Sequence, residues 1–348
     1  MTELIQNAES VEATFELLQK KLSNVVPEVE LQIKAELAYE INQLKREKDV
    51  IILGHNYMEP ALFHSIPDYV GDSLGLARIA ANTDASGILF CGVRFMAETA
   101  KIVNPDKLVL LPAEKAGCSL AASITAQDVR DLKEKYPGVP VVTYINTYAD
   151  VKAECDVCCT SSNAAQIVER LDSESVICIP DEFLAKNVAK QTGKNVIYST
   201  NGATADKDDM VIWDGKCEVH EQFTVEDIKR VRNQFSDTIV ISHPECPPDV
   251  VEASDFSGST SKMSDFIQDN DAEHYLLLTE CSMSDNIAAD NPEKDMLRLC
   301  SVRCPHMNEI TLEETLECLR EDKYEITMDE ELRVRAKKSI DRMFELSD

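Results

Sequence analysis

The feature that most narrows what this chain can fold into is an internal echo in three parts. Three apolar runs each end in a polar motif: Val50-Ile51-Ile52-Leu53 before Gly54-His55-Asn56-Tyr57, Val141-Val142-Thr143-Tyr144-Ile145 before Asn146, and Ile239-Val240-Ile241-Ser242 before His243-Pro244-Glu245. Small hydroxyl residues then open a helical segment in each copy, at Asp72-Ser73, Thr160-Ser161-Ser162 and Ser259-Thr260. Such residues favour helix N-caps because their side chains accept from the first free backbone N–H groups. A second run (Ile88–Cys91, Val176–Ile179, Tyr275–Leu278), a second helical segment and a third run (Leu108–Leu111, Met210–Trp213, Met296–Leu299) follow in the same order. Apolar runs alternating with helical segments imply parallel strands buried on both faces. The expected fold is α/β: three pseudo-symmetric α/β/α units with parallel sheets around a central site, preceded by a helical extension. The expected boundaries are 1–48 for the extension, 49–118, 119–217 and 218–310 for the three units, and 311–348 for a C-terminal helical segment.

Each copy closes on a loop holding one cysteine: Ala116-Gly117-Cys118, Gly215-Lys216-Cys217 and Arg303-Cys304-Pro305. The separations are 63, 71 and 61 residues, from His55 to Cys118, from Asn146 to Cys217 and from His243 to Cys304. Ligands of open α/β sheets gather beyond the carboxyl ends of the strands, so three such units around one axis would bring three cysteines to one cavity. Any one of these cysteines alone reads as a buried small apolar residue; the repeat is what sets them apart. A structural zinc site wants four ligands, usually with a close Cys pair, which makes zinc the poorer fit. Three isolated thiolates suit a [4Fe-4S] cluster with one iron open, and an open iron is a Lewis acid able to bind a carboxylate or hydroxyl and assist loss of water.

The strand-end residues His55, Tyr57, Tyr144, Asn146, His243 and Glu245 are placed to face that cavity, where they would either move protons or serve as ordinary structural hydrogen bonders. Ser73, Ser161 and Thr260 read as N-caps whose helices also offer free N–H groups to anions. Composition sharpens this. With 63 Asp+Glu against 35 Lys+Arg, the formal charge is −28, which argues against a nucleic-acid or anionic-membrane partner, since both need a concentrated basic face. No signal-peptide pattern opens the sequence and no apolar run approaches the ~20 residues of a membrane span, so a cytoplasmic protein is expected.

Twelve cysteines are many for such a chain. Cys155, Cys158 and Cys159 form a tight group, read as a loop leading into a helix cap, and Cys300, like Cys91, Cys178, Cys246, Cys281 and Cys318, is read as packing. Residues 1–48 read as helix interrupted near Pro27, and the Glu-rich stretch after Glu313 as an exposed helical face.

One family joins these motifs in one order. Gly54-His55-Asn56-Tyr57, Asp68-Tyr69-Val70-Gly71-Asp72-Ser73, Phe95-Met96-Ala97-Glu98, Ala116-Gly117-Cys118-Ser119, Tyr144-Ile145-Asn146, Cys159-Thr160-Ser161-Ser162, Gly215-Lys216-Cys217-Glu218-Val219-His220, Ser242-His243-Pro244-Glu245, Gly258-Ser259-Thr260-Ser261 and Cys304-Pro305-His306-Met307-Asn308 run across roughly residues 48–320. On them the chain resembles the quinolinate synthases, iron–sulfur enzymes of de novo NAD biosynthesis; most of the stretch before residue 48 lies outside these motifs. The resemblance implies condensation of iminoaspartate (iminosuccinate) with dihydroxyacetone phosphate to quinolinate, with loss of phosphate and two waters. It implies cluster ligation by Cys118, Cys217 and Cys304 with the fourth iron open to substrate. It implies substrate contacts from His55, Ser73, Tyr144, Asn146, Ser161, His243, Glu245 and Thr260, catalytic roles for Tyr57, Glu245 and His243 with Tyr57 and Glu245 moving protons, and L-aspartate oxidase as a supplier of the imine. Met58 and Lys262 depart from the residues many relatives carry. Two rivals share parts of this pattern: an aconitase-type hydro-lyase with the same cluster, and a zinc- or iron-binding redox sensor built on the Cys155 group and the Cys300/Cys304 pair.

Overall fold

The computed structural model describes residues 2–199, 206, 208–299 and 302–347. Thirteen strands form three sheets among them. The first sheet holds β1 (Val50–His55), β2 (Tyr69–Gly71), β3 (Gly87–Cys91) and β4 (Leu108–Leu110) in the order β2-β1-β3-β4. The second holds β5 (Val141–Tyr144), β6 (Val157–Cys159), β7 (Val176–Ile179), β8 (Asn195–Tyr198) and β9 (Asp209–Ile212) in the order β6-β5-β7-β9-β8. The third holds β10 (Ile239–Ser242), β11 (Phe256–Ser257), β12 (His274–Leu278) and β13 (Asp295–Leu297) in the order β11-β10-β12-β13. Every pairing in these sheets is parallel, as the apolar runs and their helical crossovers require. The α/β expectation holds, and in each sheet the first apolar run of the repeat lies between a short edge strand and the second run.

Those edge strands, β2, β6 and β11, are two or three residues long and were not expected from the sequence. They are too short for a periodic signal and exist because a parallel neighbour supplies their hydrogen bonds. Thus Val157, Cys158 and Cys159, expected in a loop, instead pair with Val142, Thr143 and Tyr144. The N-caps also shift. Asp72 caps Ser73–Asn82 by accepting from Gly75 N at 2.9 Å, Asn163 precedes Ala164–Arg170, and Ser259 precedes Thr260–Asp269. Ser73 and Thr260 are therefore first helical residues, and Ser161 lies in the turn before its helix.

A further threefold pattern follows each cysteine loop. Single 3-10 turns occupy Ala121–Ser123, His220–Gln222 and Met307–Glu309; Thr125, Thr224 and Thr311 then each cap a ten-residue helix, accepting from Asp128, Asp227 and Glu314 N. Each threonine lies seven residues after its cysteine. The third of these helices, Leu312–Glu321, begins a segment that returns to the first sheet, where Ile326 N donates to Val109 O and Leu111 N to Tyr324 O. The final helix, Glu330–Ser347, is not wholly exposed: Ala336, Ser339, Ile340 and Met343 are buried, and Ser339 Oγ donates to Lys152 O at 3.0 Å. The N-terminal region forms three helices, Thr2–Gln6, Val11–Leu22 and Glu28–Glu47, with the break at Pro27 as expected.

Candidate functional site

Each cysteine of the repeat opens its 3-10 turn, with its carbonyl accepting four residues on: Ala122 N to Cys118 O at 3.0 Å, Glu221 N to Cys217 O at 3.0 Å and Asn308 N to Cys304 O at 3.1 Å. This turn aims backbone N–H groups back at the sulfur, and Ala121 N lies 3.5 Å from Cys118 Sγ. Gly215 permits the close approach behind Cys217, where a Cβ would meet Pro180 O and Ser123 Oγ at 2.5 Å. The thiols are pushed up by burial, Cys118 to about 12, Cys304 to about 11 and Cys217 well above its ordinary value, with the backbone donors of Ala121, Met307 and His220 pulling the other way.

All three face one cavity of about 650 Å³. The carboxyl ends of β1, β5 and β10 supply most of its polar wall: His55, Tyr57, Tyr144, Asn146, His243 and Glu245. Ser73, Ser161 and Thr260 line it as well, so every residue singled out by the sequence reaches this one space. Asn56 Nδ2 donates to Thr260 Oγ1 at 2.8 Å, and Ser259 Oγ to Asp72 Oδ2 at 2.9 Å, which joins the first and third units at the rim. Lys262 Nζ reaches Ser162 O at 3.0 Å between the second and third, while Met58 is fully buried.

Glu245 is the hub. Its Oε1 accepts from the Tyr144 hydroxyl, its Oε2 lies 3.0 Å from His220 Nδ1, and His220 stacks on His243 with ring centroids 4.5 Å apart. Burial alone would raise this carboxyl, yet the favourable electrostatics of the neighbouring His220 and His243 rings and the bonds from His220 and Tyr144 hold it well below the usual carboxylate range. With Nδ1 of His220 donating to the carboxylate, Nε2 can accept from Thr279 Oγ1 at 3.0 Å, and Thr279 in turn accepts from the Tyr57 hydroxyl at 2.6 Å. A continuous hydrogen-bonded path thus runs from Tyr57 to Glu245. Burial, then Glu245, pushes both tyrosines well above their ordinary values, so they are donors at neutral pH.

His55 and His243 are kept neutral. Burial lowers them to about 4 and about 3. Each Nδ1 accepts a backbone N–H, from Tyr57 at 3.2 Å and from Glu245 at 3.3 Å, which leaves Nε2 as the protonated nitrogen in both rings.

The donor set can be tested against a metal. Around one zinc, with Zn–S near 2.3 Å, tetrahedral sulfurs lie about 3.8 Å apart. Cys118, Cys217 and Cys304 form no group whose sulfurs all lie within 4.8 Å of one another, so they do not converge on a single ion as they stand; a polynuclear cluster spans a wider triangle. The chemistry of three thiols from three loops, each near backbone donors, fits such a cluster. Cys217, His220 and Glu245 do lie within that distance.

Sequence reasoning missed His220 and Thr279. His220 occupies the position three after its cysteine that Ala121 and Met307 fill in the other copies, so comparing the copies would have exposed it. Thr279 directly follows β12 and had no residue-type signal beyond that place. Cys155, Cys158 and Cys159 are buried away from the cavity wall with thiols pushed up by burial, and Cys155 Sγ donates to Val151 O at 3.1 Å. Such thiols are poorly reactive, which removes the basis of the sensor reading at that group. Cys300 lies outside the described residues.

Residues 39–345 match the family model described as quinolinate synthetase A protein. The chain is 47% identical over 340 residues to a quinolinate synthase of Caulobacter vibrioides, covering 97% of this chain and 89% of that protein. It is 47% identical to quinolinate synthase 2 of Mesorhizobium japonicum, covering 96% and 98%, and 48% identical to a quinolinate synthase of Xylella fastidiosa, covering 87% and 85%. With 340 of 348 residues aligned to the Caulobacter protein, the likeness takes in most of the N-terminal helices that the motifs left out. Motif order, parallel sheets and near full-length identity agree: the chain belongs to the quinolinate synthetase A family.

Proposed function

We infer that this protein is a quinolinate synthase of de novo NAD biosynthesis, condensing iminosuccinate with dihydroxyacetone phosphate to give quinolinate, phosphate and two waters. The observation that carries this reading is that twelve residues drawn from three sheets line a single cavity. Cys118, Cys217 and Cys304 would hold a [4Fe-4S] cluster. When bound, it supplies at its cysteine-free iron a Lewis acid for carboxylate or hydroxyl oxygen and for the loss of water.

The remaining chemistry belongs to side chains. His55 and His243 offer Nε2–H donors, and Asn146, Ser73, Ser161 and Thr260 add amide and hydroxyl groups, a neutral set suited to two carboxylates and a phosphate. The helices Ser73–Asn82 and Thr260–Asp269 begin at the cavity wall, where the positive ends of their dipoles favour the same anions. Glu245, ionised and hydrogen-bonded to Tyr144, is the base. Tyr57 is the acid, re-protonated from Glu245 through His220 and Thr279 along the path described above. We assign residues 49–118, 119–217 and 218–310 as the three units and place the enzyme in the cytoplasm. No helix among the described residues is long and apolar enough to cross a membrane. An L-aspartate oxidase is the proposed source of the imine, which is unstable in water.

The test is iron and acid-labile sulfide per chain on protein purified without oxygen, followed by a quinolinate assay on freshly generated iminosuccinate and dihydroxyacetone phosphate. Near four of each with quinolinate formed supports the reading. The same metal without quinolinate turns it toward a hydro-lyase, and zinc or no metal overturns it.

A further inference from the structure

Three buried polar side chains connect the units in a ring. Glu98, on the helix Arg94–Val103 of the first unit, accepts through Oε2 from Ala149 N of the second at 2.9 Å. Asn187, on Glu182–Thr192 of the second, donates through Nδ2 to Pro244 O at 2.8 Å and Cys246 O at 3.1 Å in the third. Asn286, on Cys281–Asp290 of the third, donates through Nδ2 to Asn56 O at 3.2 Å and Met58 O at 2.9 Å in the first. Each sits on the helix that follows the second main strand of its own sheet, and each reaches the backbone just beyond the first main strand of the next. All three are more than nine-tenths buried.

The two asparagines share a further property. Each bonds the carbonyls on either side of one residue: Asn187 brackets Glu245, and Asn286 brackets Tyr57. These are the two ends of the proton path. The first of these carbonyls lies in the peptide plane that leads into the central Cα and the second lies one peptide beyond the plane that leaves it, so a side-chain amide holding both pins the backbone on each side of the central residue and so the point from which its side chain reaches. Neither asparagine lines the cavity.

We propose that Asn187 and Asn286 are positioning residues, each supplied by a neighbouring unit, that set the reach of Glu245 and Tyr57 respectively. The proposal rests on the proton-transfer roles given above, and Asn187 is its sharper case because both of its bonds are short. Misplacing a reacting group by about 1 Å can cost ~100-fold in rate. Asn187→Leu, close in volume but without donors, should therefore lower kcat by roughly 10- to 100-fold with KM for dihydroxyacetone phosphate within about twofold.

The decisive measurement is a double-mutant cycle on kcat with Glu245→Gln, using anaerobically purified full-length protein of matched iron content. If Asn187 acts through Glu245, its removal should cost less than about twofold once the carboxylate is gone, whereas general loosening of the fold costs the same in both backgrounds. Hydrogen exchange gives a readout independent of turnover. The Cys246 amide, bonded to His243 O at 2.9 Å, should exchange at least about tenfold faster in Asn187→Leu, with amides of β1 unchanged. Equal fold-losses in the two backgrounds, or unchanged exchange at Cys246, overturn the proposal. If Asn187→Leu does not fold, Asn187→Ser carries the same cycle. A wild type that makes no quinolinate overturns the reaction reading instead, and the exchange result then decides the brace alone.

Discussion

Replacing Glu245 by Gln removes a charge while changing almost no volume, and the surrounding bonds allow its consequences to be separated. The carboxylate accepts from the Tyr144 hydroxyl and from His220 Nδ1 at 3.0 Å, and lies 3.7 Å from His243 Nδ1. An amide keeps one acceptor oxygen and presents a donor in place of the other. The Tyr144 hydroxyl can turn to accept, or the His220 ring can place its proton on Nε2 so that Nδ1 accepts while Nε2 donates to Thr279. Two charge-assisted bonds become neutral ones, at about 1 kcal/mol each, and relief of a buried charge offsets part of that loss. Folding stability should fall by no more than about 2 kcal/mol, a melting shift of roughly 4–8 °C at 2–4 °C per kcal/mol. Turnover loses its base, which is worth ~10²–10⁴-fold, or about 2.7–5.5 kcal/mol in the barrier. The assay is quinolinate formation beside iron content and thermal unfolding of the same anaerobic preparation. A Gln variant within twofold of wild-type kcat would refute the base assignment. Loss of iron together with activity would show instead that Glu245 serves to retain the cluster.

Tyr57→Phe removes the hydroxyl that bonds Thr279 at 2.6 Å and should lower kcat at least ~10-fold with iron content unchanged, checked by the same pair of assays. Cys217→Ala should lose iron and activity together; full iron and a wild-type visible spectrum in that variant would exclude it as a ligand. His55 carries a pH signature. Its folded value, lowered by burial to about 4, lies below the unfolded 6.5, so the unfolded chain binds more protons between these values and stability falls as pH drops through that window. At pH 5 the loss is about 2 kcal/mol relative to pH 7 or above. It should appear as a difference in urea midpoint between wild type and His55→Asn, a comparison in which the opposing titration of Glu280, raised by burial to about 7, cancels. A difference that does not change between pH 7 and pH 5 would refute the neutral assignment of His55.

The sheets and the cavity wall were legible because they rest on signals that repeat. Ile51 and Ile52 pair with Ile88 and Leu89, Val141 and Val142 with Ile177 and Cys178, and Ile239 and Val240 with Tyr275 and Leu276, all from apolar runs visible in the sequence. What escaped notice depends on contacts that only the folded chain makes. The edge strand Val157–Cys159 exists through its pairing with β5, and a three-residue segment has no period of its own. Asn163 rather than Ser161 stands at the head of its helix because its Oδ1 accepts from Thr160 N at 2.6 Å, a choice that equal capping preferences for Ser and Asn cannot make. The capping threonines after each cysteine were legible in principle, since Thr125 and Asp128 repeat as Thr224 and Asp227. Asn187 and Asn286 were not, because a buried amide in a helix gains meaning only from the carbonyls of another unit.

Among the described residues the cavity wall contains neither lysine nor arginine, and its histidines at positions 55 and 243 are uncharged at neutral pH. For the proposed conversion of one dicarboxylate into another, this bears on release. Fixed cations grip starting material and product alike, and such uniform grip deepens the ground state without helping the chemistry. Neutral donors hold an anion by direction as much as by charge, so their grip weakens when the anion changes shape. In the proposed reaction ring closure would flatten the carbon skeleton and move its carboxylates, and a wall built this way would let the aromatic dianion go.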